Sequence, residues 1–262
     1  MIYAFVDLLI PCVILSHKGR QCSVDISGAR RTDTKPRFSL PEKLLQHFKD
    51  ETKLELRFQR LVLQTPAPWK DLFSPGHHLR IAFDDINASI THATFMTAQN
   101  KEWQNADFIV YWIDPILHRL LGTTMHQHDQ EKTDLLESVS RLGICLFLGP
   151  IRLNCGKLGC STKVYVRKLK DLLSQYNDDV GYIIPEAMLL WVLFFGMLES
   201  WDLPEEEWFV DLTASVDARM NLYGWENIWT AVRSFLWMNN MFATEIKNIR
   251  GSFVTKLSLY SS

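Results

Sequence analysis

The stretch from Ala187 to Leu198 constrains the fold most tightly. It reads Ala187-Met188-Leu189-Leu190-Trp191-Val192-Leu193-Phe194-Phe195-Gly196-Met197-Leu198, with no charged side chain. A helix that is apolar all round has no face to give to water, so it belongs inside a bundle or inside a membrane. About a dozen residues fall short of the ~20 that span a bilayer. The spacing therefore predicts a central bundle helix. Pro185 suits its first turn, where a missing N–H costs nothing, and Glu186 favours that end of the helix dipole.

The rest of the chain supplies helices to surround it. Downstream, Asp202-Leu203-Pro204 starts a helix with Glu205, Glu206 and Glu207 in its first turn and a stripe of Phe209, Leu212, Val216 and Met220. Gly224 separates this from a helix with Trp225, Ile228, Trp229, Val232 and Leu236 on one face. A last helix is expected from Asn239 to about Ile249, with a frayed or surface tail from Gly251. Upstream, Phe83, Ile86, Ile90, Ala93 and Thr97 share one helical face over 78–98. Ile109, Trp112, Ile113, Ile116, Leu117 and Leu120 follow, and Pro115 inside that run predicts a kink or a restart with Asp114 as N-cap. Leu135, Val139, Leu142 and Leu146 mark another helix, which Gly149-Pro150 is expected to stop, leaving 151–162 as a loop. From Lys163 to Tyr176 the helical period resumes through Val166, Leu169 and Leu172 or Leu173. Its opposite face is basic, with Lys163, Arg167, Lys168 and Lys170, and reads as a solvated face.

Residues 41–63 show an imperfect helical pattern on Leu44, Leu45, Phe48, Leu54, Phe58 and Leu61. Residues 1–40 look least globular, and the thin basic stretch Arg30, Arg31, Lys35 and Arg37 reads as a solvated linker. No strand alternation persists, and no repeat of 20–50 residues is visible. The expectation is an all-α, irregular multi-helix bundle with short connecting turns, spanning 41–262 behind a poorly ordered N-terminal segment over 1–40.

A net charge of −2 argues against a freestanding nucleic-acid binder, which shows a basic face. The five cysteines fit no zinc finger or ribbon spacing, and Cys155-x4-Cys160 lacks a second ligand pair, so reduced intracellular thiols are expected. The apolar run Ile2–Leu15 has the length of a signal-peptide core. It contains Asp7, has no basic residue ahead of it and precedes no small-x-small cleavage site, so secretion is not expected.

The familiar catalytic motifs are missing from the sequence: no P-loop, G-x-G-x-x-G, G-x-S-x-G or H-E-x-x-H. His77-His78 and His126-x-His128 are the best metal-like pairs, but each needs another convergent group, and both read as surface histidines in loops. His92 and His118 read as helix-surface or core-edge residues. Asp84-Asp85 and Glu205–Glu207 read as helix-start charges; adjacent helical residues point about 100° apart and form no acid/base dyad. No catalytic, cofactor-binding, metal-binding or DNA-binding residue is assigned. Trp191, Trp208, Trp225, Trp229 and Trp237 either line an apolar effector pocket or fill the core between large helices, and the core reading is preferred.

Four pieces, in order, resemble the regulatory domain of fungal-specific transcription factors that carry a Zn2Cys6 binuclear cluster. They are Asp107–Leu121, Glu137–Leu148, Pro185-Glu186 with Leu190–Phe194 and Gly196, and Trp208-Phe209-Val210 with Trp225, Val232 and Phe235-Leu236-Trp237, covering about residues 80–245. The resemblance implies a non-enzymatic helical domain of a nuclear regulator that contacts protein partners of a transcription complex or binds a small apolar effector. The cytoplasm is the alternative compartment. The family's zinc cluster needs six cysteines, and this chain has five, so zinc and sequence-specific DNA binding do not carry over. The chain reads as a standalone regulatory domain or as a truncated piece of a longer transcription factor. A helical enzyme with a site assembled from distant residues is the competing class. An exposed apolar stripe on the last helices would allow a homodimer.

Overall fold

The computed structural model describes residues 21–41, 67–100, 102–123, 131–155, 162–176, 183–239 and 241–260. Among these the secondary structure is helical, with no strand. The helices are α1 (21–32), α2 (Trp69–Leu72), α3 (His78–Ala98), α4 (Ala106–Phe108), α5 (Asp114–Gly122), α6 (Glu131–Asn154), α7 (Lys163–Ser174), α8 (Glu186–Glu199), α9 (Glu206–Arg219), α10 (Trp225–Phe235) and α11 (Ala243–Tyr260). The expected helix over 41–63 lies almost wholly outside the described residues.

The apolar stretch is α8, and every side chain from Met188 to Leu198 is buried. It packs against α6, α9 and α10, with α7 and α11 completing its surroundings. Two glycines set how closely its neighbours approach. A Cβ on Gly143 of α6 would stand 2.6 Å from Cγ2 of Val192, and one on Gly196 of α8 would stand 2.6 Å from Cδ1 of Phe209 on α9. Carbon atoms pack at about 3.5–4.0 Å, so both contacts require the absence of a side chain. Trp191 sits among the rings of Phe83, Phe147, Phe195 and Phe235, with centroids 5.2–5.9 Å away. Its indole Nε1 donates to the carbonyl of Leu236 at 2.8 Å, which pins the end of α10 to the core.

Around Pro115 the chain forms a π-helical turn over Ile109–Ile113 before α5 begins. The expected interruption is therefore a change of helical pitch. Asp114 does not act as the cap. Its carboxylate, 3% exposed, lies 3.0 Å from Nε of Arg152, itself 2% exposed.

Three expectations need correction. First, α6 does not stop at Gly149-Pro150 but runs to Asn154, so 151–154 are helix rather than loop. Pro150 removes one backbone donor, yet beyond it Ile151 is buried and Arg152 binds inside the bundle. Gly149 is a close-approach residue: a Cβ there would meet Thr162 Cγ2 at 2.7 Å and Arg30 Nη2 at 3.0 Å. Second, α11 continues through Gly251 to Tyr260, because Phe253 is fully buried with its ring 5.9 Å from that of Trp225.

Third, the low-order segment expected over 1–40 is replaced, for its described part, by α1 and an ordered turn. Ile26 is fully buried. Arg30, read as part of a solvated stretch, is 1% exposed; its Nη2 donates to the Cys145 carbonyl at 3.1 Å and its guanidinium lies over the Tyr165 ring. Asp33, in a left-handed conformation at φ 51, accepts from both Nη atoms of Arg141 at 2.7 and 2.9 Å and from Lys168 Nζ at 2.8 Å. Burial raises the Asp33 carboxyl, and the hydrogen bonds and charges of Arg141 and Lys168 outweigh it, holding it below the usual carboxylate value. Arg152 Nη2 donates to Ser23 and Ser27. Polar residues that suggest a linker are thus partners of cations on α6 and α7: Arg152, which is buried, Arg141, which is partly buried, and Lys168, which is half exposed.

Candidate functional site

Between α3 and the C-terminal end of α10 the bundle leaves a recess of about 350 Å³. Its position follows from how α10 ends. Leu236 leaves the helix in an extended conformation, φ −159 and ψ 122, and its carbonyl is committed to Trp191. The recess is lined on α3 by Asn87, Ile90, Thr91 and Thr94, and on the other side by Arg233 and Trp237. The hydroxyls of Thr91 and Thr94 donate at 2.8 Å to the α3 carbonyls of Asn87 and Ile90. The groups that remain to select a ligand are the Asn87 amide and the Arg233 guanidinium. Arg233 lies over the Trp229 ring, 5.6 Å from its centroid, and no carboxylate pairs with it among the described residues. Such a lining suits a small molecule with an apolar body and an anionic group.

The five tryptophans are not brought together around one cavity. Trp191 and Trp225 are buried, while Trp208, Trp229 and Trp237 are partly buried and packed on the core. Trp225 and Trp229 stack at 6.5 Å, and Trp229 meets Trp237 edge-on at 4.6 Å. Trp208 packs against Phe209 on α9. Trp237 alone of the five lines the α3–α10 recess. Sequence reading did not single out Asn87 or Arg233. Each stands one helical turn from an apolar-stripe residue, which is too common a pattern to mark a site.

Apart from His77 and His78, the histidines and paired carboxylates singled out in the sequence find separate partners among the described residues. His92 stacks on Trp112, and His118 Nε2 lies 2.7 Å from the Phe38 carbonyl. Asp84 and Asp85 sit in the second turn of α3 and bind different elements: Asp84 accepts from Trp69 Nε1 at 2.8 Å, and Asp85 pairs with Arg119. Burial pushes the Asp85 carboxyl up to about 6 against the opposing pull of Arg119. On the basic face of α7, Lys168 pairs with Asp33 and Arg167 with Glu205 at 3.3 Å. His77 and His78, at the start of α3, are joined by Glu137 of α6: His77 Nε2 lies 3.0 Å from Oε1 and His78 Nε2 lies 4.0 Å from Oε2. His126 and His128 lie outside the described residues.

At the end of α8, Glu199 accepts a hydrogen bond from Thr162, and burial pushes its carboxyl up to about 7. Burial likewise raises the Cys145 and Cys155 thiols to about 11, which keeps both protonated and poorly nucleophilic. No helix among the described residues is long and apolar enough to cross a membrane. On α10 and α11, Val254 is the large aliphatic side chain left exposed among those described. Comparison of the chain with family models, curated proteins and solved structures gives no match.

Proposed function

We propose that this chain is a non-enzymatic regulatory module of the transcription-regulator type, which binds a small apolar, anionic effector and acts through protein contacts. The observation that carries the reading is the α3–α10 recess, where Asn87 and Arg233 face a cavity of about 350 Å³ beside Trp237. The order of apolar and aromatic pieces quoted above adds the resemblance to regulatory domains of nuclear regulators. The net charge of −2 agrees with a module that reads no DNA sequence of its own.

Titration with an anionic apolar probe such as 8-anilinonaphthalene-1-sulfonate tests the effector part. One saturable site is expected, lost in Thr94→Trp, which fills the recess, and weakened about tenfold in Arg233→Met. Equal binding by both variants would remove the recess from consideration. Fluorescence anisotropy with a randomised duplex pool at physiological salt tests the other part, and tight sequence-selective binding would refute it.

A further inference from the structure

The three residues His77, His78 and Glu137 occupy a position unlike that of any other titratable group described. His77 is the N-cap of α3, and His78 is its first residue. Glu137 projects from the second turn of α6, 60 positions along the chain from His77. Their candidate ligand atoms all lie within 4.8 Å of one another. The two imidazoles stack at 4.5 Å between centroids, and Phe73 stacks on His77 at 4.9 Å, which restricts both rings. The three side chains are 22%, 38% and 24% exposed, so the cluster opens to solvent.

We propose that His77, His78 and Glu137 form a binding site for a late first-row divalent cation, with Zn²⁺ as the best fit. Two imidazoles and one carboxylate are a recurrent three-ligand set for zinc, with a fourth position left for water or a partner's side chain. Bonds of about 2.0–2.1 Å in a tetrahedron place donor atoms roughly 3.4 Å apart. His77 Nε2 lies 3.0 Å from Oε1, His78 Nε2 lies 4.0 Å from Oε2, and the three candidate ligand atoms fall within 4.8 Å of one another, so side-chain rotation has to draw them in by up to about 1.4 Å. The donor set disfavours Mg²⁺ and Ca²⁺, which take oxygen ligands. In the metal-free arrangement His77 Nδ1 accepts from the Leu79 N–H at 3.3 Å, so the ring proton sits on Nε2 and is shared with Glu137. Coordination through Nε2 moves that proton to Nδ1 and ends the cap contact. Metal binding is thus coupled to the first turn of α3, the helix that forms one wall of the recess.

The test is isothermal titration of the chelator-stripped full chain with Zn²⁺, and with Co²⁺ followed by its ligand-field absorption. One site per chain is expected, weakened at least tenfold in His78→Ala and in Glu137→Gln, and unchanged in His118→Ala. His77→Asn keeps a capping side chain but loses the imidazole, so it separates loss of a ligand from loss of the helix end and should weaken Zn²⁺ as much as His78→Ala. Zn²⁺ affinity that is absent at 100-fold excess over protein, or equal across all four variants, overturns the site. Loss in His77→Asn without loss in Glu137→Gln overturns the assigned carboxylate and with it the three-ligand set.

Discussion

Glycine-to-alanine substitution at two helical positions tests the packing of this bundle with opposite signs. Gly196 lies inside α8, and a Cβ there would stand 2.6 Å from Cδ1 and 3.1 Å from Cζ of Phe209. Phe209 is fully buried and meets Trp208 edge-on at 4.9 Å, so it has no free direction in which to retreat. Overpacking of this kind costs about 1–3 kcal/mol, and here the shortfall of about 1 Å against normal contact puts it at the upper end. Alanine recovers about 1 kcal/mol of helix propensity. Gly196→Ala should therefore destabilise by about 1–2 kcal/mol, or roughly 2–8 °C in midpoint for a chain of this size. Gly251 lies in α11, is exposed, and has nothing within 4 Å of an added Cβ. Gly251→Ala should then stabilise by about 0.5–1 kcal/mol. Urea unfolding followed by far-UV circular dichroism measures both. Combining Gly196→Ala with Phe209→Leu should return a coupling energy of about 1 kcal/mol or more. The reasoning fails if Gly196→Ala is as stable as the wild type, or if it and Phe209→Leu are additive.

Three further outcomes follow from the buried charges. Asp114→Asn leaves Arg152 enclosed without its carboxylate and should cost about 3–5 kcal/mol in the same urea experiment, whereas Asp114→Leu with Arg152→Met should be much closer to neutral. Glu199 titrates at about 7 in the folded protein against an ordinary 4.5. The stability tied to its protonated form is thus full below about 4.5 and is lost as pH rises through 7. That loss is up to about 3 kcal/mol, and Glu199→Gln should flatten the stability–pH curve across this window and be the more stable protein at pH 8. Asp33→Ala should release α1 from Arg141 and Lys168, seen as faster proteolytic cleavage near residue 33, with α8 amides still the slowest to exchange hydrogen.

Much of the helical architecture was legible because the apolar period is long and regular. The helices over 78–98 and 225–235 stand where the spacing of Phe83, Ile86 and Ile90, and of Trp225, Ile228 and Val232, puts them. The misreadings share one cause: local punctuation outweighed by distant partners. Gly149-Pro150 is a stop signal on its own, but Arg152 beyond it binds Asp114 and Ser23. Gly251 weakens a helix locally, but Phe253 docks on Trp225. The polar segment around Arg30 and Asp33 looks solvated until its partners on α6 and α7 are known. The recess was illegible for a different reason. It arises from where α10 ends and what Leu236 does next, and a lone Asn87 and Arg233 carry no periodic signal. The meeting of His77 and His78 with Glu137 is likewise a product of helix packing across 60 positions.

The enclosure of α8 also has a genetic meaning. From Met188 to Leu198 this helix has no surface with which to touch a ligand or a partner. A substitution there acts first through how much folded protein a cell holds, and at Trp191 also through the Leu236 carbonyl that its indole binds. A loss-of-function allele at Phe194 would report abundance, and one at Arg233, which lines the recess, would test the effector site proposed above. The longest apolar run in the chain is therefore the place where inherited variation says least about what the protein recognises.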